Sequence, residues 1–426
     1  MRSVAFHTLG CKVNQYDSQA MLELFQQAGY DVRDFSQPAD VYVVNTCTVT
    51  GTGDKKSLNA VRRALRQNPA AQVVIAGCLA QRDGEKLLST GARLVIGNAR
   101  RQEVVSLLEE AVARGERVAA VENILRVPYE PLSISRHEGH TRAVLKIQEG
   151  CDRYCTYCII PYVRGGIRSR KPQEIRAEAE RLADAGFSEL VLTGIHLTSY
   201  GRDLGEETLL DAVRACNAPG IRRIRLGSLE PVIVTEDFVR GLQKEEKVCP
   251  QFHLALQSGS DPVLRRMRRR YTTEEFSRAV ELLRSAFPGC ALTTDVITGF
   301  PGETEEEFAQ TLAFCQAIGF ARMHVFPYSA RQGTPAAQMP GQVPKALREE
   351  RARRLIALGN ELARDYRARQ IGSTVEVLAE EIEEGVAQGY TAQYIPCAFP
   401  GGQAGALCRV RVTGVTEDGL TGVIAE

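Results

Sequence analysis

The stretch GCDRYCTYCII carries Cys151, Cys155 and Cys158 in the spacing C-x3-C-x2-C. Thiols this close together can share a metal centre. The chain opens MRSVAFHTLGCK, one Arg and then strand-forming residues rather than a signal peptide, and it holds twelve cysteines. A reducing, cytoplasmic location is therefore expected, where tight Cys spacing points to metal or redox chemistry and not to a disulfide framework. No Cys or His lies near enough in sequence to complete a tetrahedral zinc site, and ferredoxin spacing supplies a full cysteine set to each cubane. An iron–sulfur cluster held by only these thiolates leaves one iron open to a substrate. Zinc completed by a distant residue and simple packing are the competing readings.

Cys11, Cys47 and Cys78 are far apart, so their spacing says nothing. Their positions say more: HTLGC, VNTC and IAGC each place Cys just past the carboxyl end of an expected strand. Adjacent parallel strands deliver such ends to one crevice. Separately buried thiols would do no chemistry. The repeated register, with Gly10, Asn45, Thr46 and Gly77 as small or polar neighbours, favours a second open-iron cluster.

The elements that must position these residues follow from periodicity. RSVAFHTL, DVYVVNT, AQVVIAG and ARLVIG alternate with helical stretches, which predicts a doubly wound parallel α/β domain over residues 1–125. Residues 126–140, RVPYEPLSISRHEGH, with two prolines and little periodicity, read as a linker. Six βα units follow over 141–370, with strands AVLKIQ, ELVLTG, IRRIRLGS, FHLALQSG, LTTDVITGF and MHVFPYS. They predict a partial TIM-type barrel with working residues at the strands' carboxyl ends. Its helices open on capping boxes, Thr272 with Glu275 and Thr304 with Glu307. Residues 371–426 turn to short Gly-punctuated strands, a small all-β barrel. A hydrophobic fraction of 44%, a charged fraction of 25% and a net charge of +1 suit a globular protein, and no apolar run reaches membrane-spanning length.

Cys151, Cys155 and Cys158, with Tyr157 before the last Cys, resemble the signature of radical S-adenosylmethionine enzymes. Together with HTLGCKVNQYDSQAM, NTCTVT and GCLAQ, the stretch KIQEGCDRYCTYCIIPYVRGGIRSR resembles the methylthiotransferases of that superfamily. The resemblance runs over essentially the whole chain. It implies two [4Fe–4S] clusters, one on each Cys set, a C-terminal TRAM domain, and S-adenosylmethionine chelated to the open iron of the barrel cluster. One electron then cleaves the sulfonium and releases a 5′-deoxyadenosyl radical.

TLGCKVNQYDS is most similar to the branch that acts on N6-threonylcarbamoyladenosine at tRNA position 37. The isopentenyladenosine and ribosomal-protein branches have different residues after the first Cys and are the alternative substrates. An iron–sulfur RNA-binding or electron-transfer protein without radical chemistry is the alternative of another class. The implied partners are a tRNA anticodon stem-loop and a reductant such as flavodoxin or ferredoxin.

For S-adenosylmethionine, the resemblance singles out Tyr157, Thr193 and Gly194 in LTGIH, Gln257 and Ser258 in LALQSGSD, and Thr298 and Gly299 in DVITGFPGET. Turn chemistry alone also explains such polar loop residues. The threonylcarbamoyl carboxylate needs a cation, and Arg164 or Arg331 is the expected partner. Basic stretches at 265–275 and 345–369 suit RNA phosphates, although Glu349, Glu350 and Glu361 would pair with some of that charge. From Gly372 onward acids outnumber bases, so Tyr390, Tyr394 and Phe399 are expected to stack on loop bases instead. TGTGDKKS fails the order a phosphate loop requires. Cys216, Cys249, Cys290, Cys315, Cys397 and Cys408 lack ligand spacing and read as ordinary residues.

Overall fold

The computed structural model describes residues 2–125, 127–137 and 139–425. The N-terminal part is one parallel sheet of β1 (Ser3–Thr8), β2 (Asp31–Arg33), β3 (Val41–Thr46), β4 (Gln72–Gly77), β5 (Leu94–Ile96) and β6 (Val118–Ala120). The strand order is β2-β1-β3-β4-β5-β6. Every residue of VYVVNT in β3 is buried, as a strand covered by helices on both faces requires. The helices α1 (Lys12–Gln27), α2 (Gly51–Gln67), α3 (Cys78–Asp83) and α4 (Val104–Ala113) connect the strands. The chain leaves β1 in one direction for β2 and in the other for β3, so the switch point of the sheet lies between β1 and β3.

The central part is a partial barrel. β7 (Ala143–Glu149), β9 (Glu189–Gly194) and β10 (Arg223–Leu226) run parallel, with short β8 (Arg168–Ser169) antiparallel on the edge of β7. β11 (Ser228–Leu229), β12 (Gln251–Leu254), β13 (Ala291–Thr298) and β14 (Arg322–Pro327) form a second parallel sheet. Only Gly227 separates β10 from β11, so one chain stretch hands the curve from the first sheet to the second. The expected capping boxes at Thr272–Glu275 and Thr304–Glu307 both form.

The segment expected to be a linker is no loose tether. Its Leu132 and Ile134 are buried in the barrel's core. Tyr16 of α1 donates its hydroxyl to Leu132 O at 2.8 Å, and Glu23 accepts from the backbone of Ser135 at 3.0 Å. Burying these residues cements α1 to the barrel. After the long helix Lys345–Ala368, the strands β15 (Thr374–Glu383), β16 (Val386–Thr391), β17 (Pro396–Pro400), β18 (Leu407–Val415) and β19 (Leu420–Ile424) close into a barrel. Among the described residues, no helix is long and apolar enough to cross a membrane.

Candidate active site

Cys11, Cys47 and Cys78 follow β1, β3 and β4, adjacent strands at the switch point. Asn14 ties the loops together, its amide donating to Leu9 O at 2.6 Å and to Thr46 O at 2.9 Å. Gly77 has φ +92°, and a Cβ there would collide with Asn45 Oδ1. Only Gly can make this turn, which sets Cys78 as the first residue of α3. Cys47 packs beside the Cys11 loop: a Cβ on Gly10 would stand 3.2 Å from Cys47 Sγ. Cys11 is exposed, Cys47 half-buried and Cys78 buried. Partial burial pushes the Cys47 thiol up to about 11, with the Cys78 and Cys11 thiols adding to the shift.

The barrel set is built by a similar device at the end of β7. Gly150 has φ +73°, and a Cβ there would collide with Gly166 O. Cys151 N then donates to Gly165 O at 2.9 Å, and Cys158 N to Cys155 O at 2.9 Å. Tyr154 sits between them at φ +48°, a conformation few non-glycine residues adopt. Thr156 anchors the loop to the end of the helix Asp261–Arg266, its hydroxyl donating to Arg266 O at 2.9 Å. Burial pushes Cys151 up to about 11 and Cys158 up to about 12, with the Cys155 thiol adding to both.

The donor set fits iron–sulfur clusters. Arg164 Nε lies 3.2 Å from Cys78 Sγ, and Arg269 Nη1 lies 3.3 Å from Cys155 Sγ. Arg164 is buried and the side chain of Arg269 is largely covered, and a desolvated cation against sulfur is repaid where the sulfur is a metal-bound thiolate. Among the described residues, no group of three His, Cys, Asp or Glu side chains converges as ligands of one metal ion. A cubane does not ask for that, because each thiolate binds a different iron. The two sets are also neighbours in space: Cys78 packs with Ile159 and Val163, just after Cys158.

The expected S-adenosylmethionine residues are distributed around the barrel's carboxyl end. Thr193 and Gly194 end β9, and a Cβ on Gly194 would press on Gln148 at 2.9 Å. Gln257, at φ +67°, bridges to β13 through its backbone, donating to Asp295 O at 2.8 Å. Ser258 and Thr298 turn away from the mouth: their hydroxyls are buried against Thr311 Oγ1 at 3.2 Å and Arg348 O at 3.1 Å. Any ligand contact at these two positions falls to the backbone. Gly299 N is taken by Glu303 at 2.7 Å, and Tyr157 packs edge-on to Phe300.

A cluster at the barrel mouth escaped sequence reasoning. Glu230, just after β11, lies 2.9 Å from Arg153 Nε, 2.8 Å from Arg269 Nη2 and 3.2 Å from His196 Nε2. Burial alone would push this carboxyl up, but His196 and the two arginines outweigh it and pull it down to about 2. The cluster holds the Arg269 guanidinium beside Cys155. Its one sequence signal was the position of Glu230 at a barrel strand's carboxyl end.

Four expected substrate contacts are corrected. Arg164 is fully buried; its Nη1 donates to Glu149 Oε1 at 2.6 Å, and it also binds Asn14 and faces Asp17. Arg331 is buried against Asp54 at 2.5 Å and Thr48 at 2.8 Å. Both cations are spent on packing the N-terminal domain against the barrel. Tyr390 and Tyr394 stack on each other, centroids 4.8 Å apart, under the guanidinium of Arg142. Arg225 covers Tyr394 as well, so these rings already have stacking partners, and Phe399 is buried in the terminal barrel's core. In the basic stretches, Arg266 pairs with Glu307, Arg351 with Glu303 and Arg354 with Glu305 and Glu350.

Comparisons with known proteins agree with this geometry. Residues 145–315 match the Radical SAM superfamily, and residues 3–97 match the uncharacterized protein family UPF0004. The chain is 43% identical to threonylcarbamoyladenosine tRNA methylthiotransferase MtaB of Bacillus subtilis, over 97% of this chain and 94% of that protein. It is 36% identical to the protein of the same name from Thermotoga maritima, over 99% and 96%. It is also 40% identical to tRNA-2-methylthio-N(6)-dimethylallyladenosine synthase of a Parafrankia strain, over 90% of this chain and 78% of that protein. In fold it is similar to the radical S-adenosylmethionine methyltransferase TsrM of Kitasatospora setae, a structure with cobalamin and a [4Fe-4S] cluster bound. That match has a TM-score of 0.57 at 16% identity and covers 79% of this chain and 77% of that one.

Proposed function

The chain belongs to the radical S-adenosylmethionine tRNA methylthiotransferases, and on that premise we propose that it inserts a methylthio group at C2 of N6-threonylcarbamoyladenosine 37 in the anticodon loop of tRNA. The observation that carries this reading is the adjacency of the two cysteine sets: Cys78 packs against Ile159, the residue after Cys158. A base entering between them would meet both centres in one visit. When bound, the barrel cluster supplies the electron that turns S-adenosylmethionine into a source of carbon radical, and the crevice cluster supplies sulfur. An unactivated C–H bond needs a reagent of that strength.

The chain's own residues bind and orient. Cys151, Cys155 and Cys158 hold one cluster at the mouth of the barrel, and Cys11, Cys47 and Cys78 hold the other at the switch point. Arg164 and Arg269 donate to sulfur on each side and offset the negative charge that thiolates bring. Tyr157, Thr193, Gly194, Gln257, Ser258, Thr298 and Gly299 line the route for S-adenosylmethionine, largely through backbone groups. The adenine must leave its stack to reach these centres, at a cost of a few kcal/mol that an unpaired loop base minimises. A small electron-transfer protein such as flavodoxin or ferredoxin serves as reductant, and the reaction takes place in the cytoplasm, where the tRNA is.

The test is mass spectrometry of tRNA nucleosides from a strain lacking this gene, with and without the gene restored. Loss and recovery of 2-methylthio-N6-threonylcarbamoyladenosine is expected. Loss of the 2-methylthio-isopentenyl nucleoside in its place would transfer the chain to the other substrate branch.

A further inference from the structure

The stretch MRRRY, Met267–Tyr271, carries three arginines in a row, and the fold treats them differently. Arg268 and Arg270 are exposed, whereas the side chain of Arg269 keeps only 6% of its surface in solvent. The helix Asp261–Arg266 ends in a turn where Arg268 takes φ +56°, a left-handed position that glycine usually holds. Arg268 N donates to Arg265 O at 3.0 Å and Arg269 N to Leu264 O at 2.9 Å, which closes the helix and returns Arg269 to the barrel mouth. Carbonyls of the same turn hold the cysteine loop: Thr156 N donates to Met267 O at 3.1 Å, and its hydroxyl to Arg266 O. Thr156 follows Cys155 directly, so one turn fixes both a thiol and a cation.

Each nitrogen of that guanidinium has its own partner. Nη1 donates to Cys155 Sγ at 3.3 Å, Nε donates to Tyr271 Oη at 2.9 Å, and Nη2 stands 2.8 Å from Glu230 Oε1. Tyr271 is itself pinned, its hydroxyl donating to Leu256 O at 2.9 Å, and its ring centroid lies 4.9 Å from the guanidinium carbon. Glu230 also lies 2.9 Å from Arg153 Nε, and Arg153 N donates to Cys151 Sγ at 3.5 Å. Glu230 therefore braces the loop beside Cys151 and beside Cys155. The charges do not cancel: Arg153 and Arg269 share this one carboxylate, while Asp152 of the same loop is paired with Arg202 at 3.0 Å. A guanidinium held at all three nitrogens has little freedom to turn away when the charge on the sulfur changes, which is the condition for electrostatic preorganisation.

We propose that Arg269 is a positioning residue for electron uptake, raising the reduction potential of the cluster held by Cys151, Cys155 and Cys158 through its hydrogen bond to Cys155. This rests on the reading of those cysteines as [4Fe–4S] ligands. Reduction adds one negative charge, part of which falls on the ligand sulfurs, and a fixed cation against one of them favours the reduced state. The effect is larger where water is excluded than it would be at the surface. The electron comes from an external one-electron donor, and no proton moves with it, because an arginine stays protonated.

The experiment uses the reconstituted full-length chain in two backgrounds, the wild type and the variant Cys11→Ala, Cys47→Ala, Cys78→Ala, in which the barrel cluster gives its signal alone. A redox titration followed by electron paramagnetic resonance reads the midpoint potential without RNA. Arg269→Gln should lower it, so that at the wild-type midpoint the reduced-to-oxidised ratio falls about tenfold, equivalent to about 59 mV for one electron. Arg269→Lys should fall between the two. Arg268→Gln and Arg270→Gln remove the same charge from exposed neighbours and should leave the midpoint in place. A second measurement keeps the test decisive if Arg269→Gln loses iron: wild type labelled with guanidino-15N arginine should show a 15N coupling to the reduced barrel cluster in pulsed resonance, absent from Arg269→Lys. An unchanged midpoint in iron-replete Arg269→Gln, an equal shift in Arg270→Gln, or no 15N coupling in the wild type overturns the role of Arg269 and leaves the cluster reading standing. A wild type that takes up no iron on the barrel cysteines, or holds zinc there, overturns both.

Discussion

The Nε of Arg164 lies 3.2 Å from Cys78 Sγ, while Nη1 of the same guanidinium donates to Glu149 Oε1 at 2.6 Å. Cys78 belongs to the N-terminal crevice, and Glu149 precedes Cys151 by two positions in the barrel. One buried side chain from α5 (Ile160–Arg164) therefore ties the crevice to the end of the strand that leads into the barrel set. Around it Asp17, Arg101, Lys146 and Glu149 form an ionic network with almost no exposure. Such a network is costly to break because each remaining charge is stranded out of water.

Arg164→Met should destabilise the protein by about 3–5 kcal/mol, the cost of removing one cation from a buried ionic network and leaving its carboxylates in excess. Arg164→Lys should recover only part of this, since an ammonium cannot reach sulfur, carboxylate and amide in one fork. Chemical denaturation of the two variants beside the wild type measures both effects, and anaerobic reconstitution should show weaker iron loading of the crevice in each.

Iron content distinguishes two clusters from one. Reconstituted wild type should hold about eight irons per chain, and the triple variant Cys151→Ala, Cys155→Ala, Cys158→Ala about four. Saturation of the wild type at about four irons, or stoichiometric zinc, would contradict the assignment of Cys11, Cys47 and Cys78.

The two cysteine sets should separate by activity. Cys47→Ala removes a ligand at the tip of β3 and none from the barrel, so the variant should still cleave S-adenosylmethionine to 5′-deoxyadenosine with a strong reductant. It should form no methylthiolated nucleoside. Cys155→Ala should lose both activities. Both products are quantified in one reaction, with circular dichroism to exclude unfolding; wild-type product formation by folded Cys47→Ala would reduce the crevice thiols to packing.

Glu303 should make stability depend on pH near neutrality. Burial pushes its carboxyl up to about 7, against the opposing pull of Gly299 N and of Arg351 at 2.9 Å. The folded state thus holds a proton that the unfolded chain releases near its ordinary value of 4.5. Stability from this group is full below that value and is lost as pH rises through 7, by roughly 3 kcal/mol at most. Glu303→Gln, which keeps the shape and an acceptor, should flatten the decline. Thermal melts of wild type and variant at mildly acidic and mildly alkaline pH would show it, and parallel curves would rule it out.

The sequence by itself determined the chemistry and the order of the parts. C-x3-C-x2-C is a local pattern, and the strands that deliver Cys11, Cys47 and Cys78 announce themselves by continuous apolar runs, because a parallel strand is buried on both faces. The capping boxes at Thr272 and Thr304 were equally legible, since each satisfies its helix within four residues. Which charges were free was decided only by the tertiary structure. Arg331 meets Asp54 across 277 positions and Arg164 meets Asn14 across 150, so no spacing rule could mark them as spent. Tyr390 and Tyr394 looked like open stacking surfaces until the fold laid Arg142 over them. An ion pair depends on the distance between two side chains and on the water excluded around them, and both are properties of the folded chain alone.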